Sequence, residues 1–185
     1  MKRYDNIEKK RTTIGKETLP AGGYVCQILS ARVEENDWGS TLVIAHDICE
    51  GDYSGFFRHD FDNNPNTETR KWRGTFRLRL PNDDGSDQDE WKKRSLGNTL
   101  WALEESNPGF QFDWDEKKLK GLKIGLIYRN REWAYNGKSG WSTEAGAAES
   151  IDNIRAGKFK PLKDKPLANR PEAAAAVADA DDLPF

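Results

Sequence analysis

Two cysteines, one methionine and two histidines in 185 residues leave little material for a disulfide framework or a soft-ligand metal centre. Cys26 and Cys49 stand in apolar surroundings without a CxxC spacing or a neighbouring His cluster, so both read as small buried side chains. No apolar run reaches the roughly 18 residues that a membrane helix needs. Residues 1–8 also lack the apolar stretch of a secretory leader, so a cytoplasmic protein of a bacterial cell or phage-infected host, with no membrane partner, is expected. A phosphate loop of the GxxxxGK[ST] form is missing too. Asn136, Gly137, Lys138 and Ser139 supply its last residues without the earlier glycine, which argues against ATP-driven action. His46, Asp47, Asp52, His59, Asp60 and Asp62 fit no metal-ligand spacing and read as turn acids rather than a metal-dependent nuclease site. The chain is therefore expected to be no enzyme and to need neither metal nor cofactor.

What the sequence does have is aromatic side chains and charge. Aromatics make up 11% and charged residues 32%, with seven Trp among them. The formal net charge of −2 hides an asymmetry. Residues 172–185 hold Glu172, Asp179, Asp181 and Asp182 and no Lys or Arg, so the preceding residues carry 29 bases against 27 acids, a balance of +2. A mildly basic body with an acidic end suits a polyanionic partner.

Three regions follow from the patterning. Residues 1–18 form a basic arm, 19–160 a folded body, and 161–185, where Pro, Lys, Asp and Ala dominate, a disordered linker. Apolar residues alternate from Tyr24 to Val33 with one slip, which predicts a strand with a bulge, and turn formers at 36–40 join it to a second strand over 41–49. Residues 51–66 read as a strand continuation or an insertion. Residues 72–80 alternate, with Phe76, Leu78 and Leu80 inward and Thr75, Arg77 and Arg79 outward. An acidic loop then leads into one amphipathic helix over 90–105, with Trp91 and Trp101 assigned to its core face. Two further strands are expected over 122–129 and 132–135, with a turn before Trp141. This order predicts a mainly β chain of the OB-fold type: a five-stranded Greek-key barrel with one helix between strands three and four, whose strand face and loops commonly hold oligonucleotides.

The last residues, Asp179, Ala180, Asp181, Asp182, Leu183, Pro184 and Phe185, place an acidic run before an apolar residue, Pro and Phe. In this the chain resembles bacterial and phage single-stranded DNA-binding proteins, and its body looks more like phage or prophage versions than housekeeping ones. The resemblance implies that the tip recruits replication, recombination and repair proteins. A partner would offer a pocket for the Phe185 ring and cations for its carboxylate and for Asp179, Asp181 and Asp182, while Pro184 limits the ordering entropy.

The expected function is sequence-independent binding and protection of single-stranded DNA, held by cations along the phosphates and by aromatic faces under the bases. Arg73, Arg77 and Arg79 share the outward face of the third strand, beside Trp72. A second basic and aromatic cluster comprises Arg129, Arg131, Trp133, Tyr135, Lys138 and Trp141, and Trp38 at the tip of the first hairpin is a third candidate. A homo-oligomer is compatible with this reading. The rival is an OB-fold adaptor that touches mainly proteins, and it predicts that these arginines and tryptophans are buried or paired internally.

Overall fold

The computed structural model describes residues 18–37 and 39–168. Its nine elements are β1 (Gly22–Asn36), β2 (Gly39–Ile48), α1 (Phe56–Asp62), β3 (Thr75–Arg79), α2 (Asp87–Ser106), a 3-10 turn η1 (Glu116–Leu119), β4 (Lys123–Tyr135), β5 (Lys138–Glu149) and α3 (Ile151–Arg155). The strands form one antiparallel sheet in the order β3-β2-β1-β4-β5. The two edge strands approach each other without hydrogen-bonding, so the sheet curls in the manner of an OB-like barrel but is not closed.

Alternation decides the two faces. Ile44 pairs with Ala31 and Phe76, and Leu42 with Val33 and Leu78, so the inner face is a continuous apolar surface across β1, β2 and β3. The slip in β1 is a register shift between Ile28 and Ser30, which keeps both halves of this long strand facing the core. Helix α2 covers that core with Thr99, Ala102, Leu103 and Ser106. Its start is fixed by Ser86, whose hydroxyl accepts from the Asp89 amide at 3.2 Å, with three acids in the first turn. At its end Asn107 donates to Leu103 O and Lys123 O, each at 2.7 Å, and so ties the helix to the start of β4.

Several expectations need correction. Trp91 and Trp101 are not on the core face of α2; they are 62% and 45% exposed. The side chains that α2 buries are Asp89, Thr99, Ala102, Leu103 and Ser106. The segments 122–129 and 132–135 are one strand, β4, and the fifth strand is Lys138–Glu149, not anticipated as a strand. Asn136 and Gly137, with φ of 48° and 73°, turn the chain between them in the manner of a type I′ hairpin. Of the two readings of 51–66, the structure bears out the insertion: the segment between β2 and β3 holds helix α1 and no strand. Asp47 accepts from the Phe57 amide at 3.0 Å and the Arg58 amide at 3.1 Å, which anchors the first turn of α1.

The outer face carries a second, smaller core. Val25, Ile127 and Ile154 are buried there, joined by Ile151, Phe159 and Leu162. A Cβ at Gly125 would lie 2.5 Å from the Ile154 side chain, and one at Gly23 2.7 Å from the Phe159 ring, so glycine is what lets α3 and the following segment sit this close. That segment continues along β4. Glu132 N donates to Lys165 O at 2.9 Å and Lys165 N to Asn130 O at 2.8 Å. Residues 161–168, assigned from composition to the linker, thus use the β4 edge that β1 leaves open beyond Gly22.

Candidate nucleic-acid interface

Beyond Tyr128, β4 and β5 run on as a two-stranded ribbon. Odd-numbered β4 residues point to the outer face, which places Arg129, Arg131, Trp133 and Tyr135 in a row. Their cross-strand partners are Glu144, Ser142, Gly140 and Lys138. Trp133 lies across Gly140, where an added Cβ would meet its ring at 3.0 Å, so the indole has a flat backbone beneath it and is still 40% exposed. Tyr135 is 74% exposed, opposite the exposed Lys138. Five of the expected contacts therefore meet on one surface. Trp141 does not join them: it pairs with Glu132 and lies on the opposite face of the ribbon, half exposed.

The cations of the ribbon are not idle. Glu144 accepts from Arg129 at 2.9 Å and from Lys165 at 3.1 Å, and Arg131 lies 3.4 Å away. Partial burial works against the Glu144 charge, but hydrogen bonds from Arg129 and Lys165 outweigh it and hold the pKa below the ordinary value.

A second row lies on the same outer face at the other end of the sheet in strand register. Arg77 pairs across Val43 with Arg32, and Arg79 across Thr41 with Glu34. Glu34 binds both Arg77 and Arg32, the latter at 2.6 Å, and the hydrogen bond from Arg32 leads in lowering its pKa. Arg32 and Glu34 were missed, although their alternation with the inward Ala31 and Val33 on β1 placed them beside Arg77. Arg79 is exposed.

The remaining candidates sit apart. Trp72 is half-buried against the main core, and its Nε1 donates to Gly74 O at 3.0 Å and His46 O at 3.2 Å. Its ring meets Phe61 and the Arg58 guanidinium. Arg73 lies 3.6 Å from Asp60. Trp38 and the tip residues 179–185 lie outside the described residues.

Of the acids and histidines weighed as a nuclease site, His59, Asp60 and Asp62 lie on α1. His46 is fully buried, with Nε2 2.5 Å from the Tyr128 hydroxyl, while Asp47 caps α1. Among the described residues no group of three or more His, Cys, Asp or Glu side chains is arranged to hold a metal ion. Cys26 is buried and Cys49 half-buried, both as free thiols. No described helix is long and apolar enough to cross a membrane. No protein-family model matches the chain, and the search of curated proteins finds no match.

Proposed function

We propose that the chain is a single-stranded DNA-binding protein of the OB-fold type, without base specificity, that recruits replication, recombination or repair proteins through its acidic C-terminal tip. The observation that carries the reading is the outer face of the β4–β5 ribbon, where Arg129, Arg131, Trp133, Tyr135 and Lys138 interleave cations with exposed rings. Alternating charge and π-surface is what a flexible polyanion with stackable bases requires, and duplex DNA, whose bases are already stacked, cannot use the rings. The Arg32, Arg77 and Arg79 row extends the phosphate-binding surface.

One observation favours the adaptor reading: Arg73, Arg77, Arg129 and Arg131 all have carboxylate partners within the protein. The more exposed of these pairs are worth about 0–1 kcal/mol each and exchange readily for phosphate, while Glu144 and Asp60 are partly buried and hold their arginines more firmly.

Tryptophan fluorescence of the full chain titrated with oligo-dT, and with duplex of equal length, separates the two. Salt-sensitive quenching by the single strand is expected, weakened roughly 5- to 150-fold in Trp133→Ala, which corresponds to about 1–3 kcal/mol for one stacked base. No binding to either form at low salt would leave the adaptor in its place.

A further inference from the structure

An apolar groove of about 500 Å3 opens where the β1–β2 hairpin, α2 and the 110–116 loop meet, and none of its lining residues belongs to the ribbon. Val33, Leu80, Leu96, Leu100, Phe112 and Trp114 line it. Val33 is 40% and Trp114 73% exposed, so large apolar surface is left facing water. Asp83 and Trp114, both in the wall, have φ of 56° and 69°. A left-handed backbone at a bulky aromatic costs about 1–3 kcal/mol and persists only where the surroundings enforce it.

The mouth of this groove carries an excess of acid. Asp83 and Glu116 line it against Lys93, and Asp84, Asp87 and Glu90 follow in the same stretch of chain, with Lys92 acting on Asp84 and Lys117 next to Glu116. Lys93, the one cation in the lining among the described residues, is shared among Asp83 at 3.1 Å, the fully buried Asp89 at 3.4 Å and Glu90 at 3.5 Å. Lys118 nearby is taken by Asp113. An apolar floor could accept the Phe185 ring, but Asp179, Asp181 and Asp182 would meet carboxylates at the rim, and phosphates would be repelled in the same way. The chemistry that satisfies both floor and rim is a large apolar side chain flanked by lysine or arginine.

We propose that this groove docks a cationic peptide segment of a partner protein through one large apolar anchor. The surface is separate from the ribbon, so a partner could be held while the ribbon is occupied. Such a site does not depend on the DNA-binding reading.

Gly97 supplies the test. It lines the groove inside α2, and a Cβ added there meets nothing within 4 Å. Gly97→Lys therefore fills the groove and makes it cationic without touching the core, and it favours the helix. The probe is a fluorescein-labelled peptide of repeating Leu-Lys-Lys-Leu units, followed by anisotropy against the full chain, with a Leu-Glu-Glu-Leu peptide as control. The lysine peptide is expected to bind in a salt-sensitive way, and the glutamate peptide at least about tenfold more weakly. Gly97→Lys is expected to lose at least about tenfold in peptide binding, with thermal stability kept or raised and oligo-dT titration unchanged. Equal binding of both peptides, or wild-type peptide affinity in Gly97→Lys, would overturn the proposal. So would self-association of the wild-type chain that Gly97→Lys abolishes, because the occupant would then be a second copy.

Discussion

Glu144 sits where Arg129, Arg131 and Lys165 converge, and Glu34 plays the same part for Arg32 and Arg77. In the proposed DNA-binding reading, each carboxylate would compete with phosphate for the cations it holds. Glu144→Gln removes the competitor while keeping shape, so oligo-dT affinity at low salt should rise several-fold, and the slope of log affinity against log salt should steepen by about one freed contact. An unchanged affinity and slope in a salt titration would mean that the ribbon cations do not meet phosphate. A different residue governs acid stability. Burial holds the His46 pKa at about 4, below the ordinary 6.5, with its ring against Tyr128. A lowered histidine pKa means that the unfolded chain takes up a proton the folded chain refuses. Stability is therefore full above pH 6.5 and falls as pH drops towards 4, by up to roughly 3 kcal/mol. Urea midpoints between pH 6.5 and 5, above the carboxylate range, should decline in the wild type and flatten in His46→Phe.

At the scale of elements, the outer-face cover makes the sharpest prediction. Gly125 has an ordinary backbone conformation, so its requirement is one of space alone: a Cβ would fall 2.5 Å from Ile154 and 2.6 Å from Glu149 O. Gly125→Ala should cost about 1–3 kcal/mol by forcing α3 off the sheet. Thermal melts would show it as a lower midpoint, and Gly109→Ala, set in a loop with open space around it but a positive φ of 84°, makes a comparison in which strain alone acts. This cover was not legible in the sequence, because residues 151–168 are short of apolar periodicity and make sense only against the glycines of β1 and β4. Strands β1 and β3 were legible because apolar residues alternate on their inner faces, and β2 because its run is apolar and β-branched on both faces. The ribbon half of β4 was legible as a strand over 132–135 but not as the continuation of 122–129, and β5 was not legible as a strand, because Arg, Trp and Ser on an exposed ribbon can stand on either face. Asn136-Gly137 was the available signal that a hairpin joins them. Helix α2 was placed to within a few residues, yet its tryptophans were put on the wrong side: the face that packs is built from Thr, Ala, Leu and Ser, which a search for the largest apolar groups passes over. The candidate site was legible as composition but not as geometry, so Trp141 and Trp72 were grouped with residues whose face or partners they do not share.

For the whole molecule, the question is how a chain of net charge −2 would bind a polyanion. The answer lies in distribution: cations collect on the outer face of the sheet, while carboxylates gather at the groove end and in the last residues. Deleting residues 179–185 removes Asp179, Asp181 and Asp182 and takes the formal charge from −2 to +1. Nothing in the sheet changes, so thermal stability should stay as it was. The deletion should raise oligo-dT association and affinity a few-fold at low salt, where the Debye length reaches about 30 Å, and the advantage should disappear at high salt, where it shrinks to about 3 Å. Stopped-flow quenching at the two salt concentrations would measure both. A gain that survives high salt would require the tip to occupy the DNA-binding surface directly rather than act through the field. No gain at any salt would mean that the tip's charge is too far from the ribbon to be felt there, and that its role, if it recruits partners, is independent of DNA affinity.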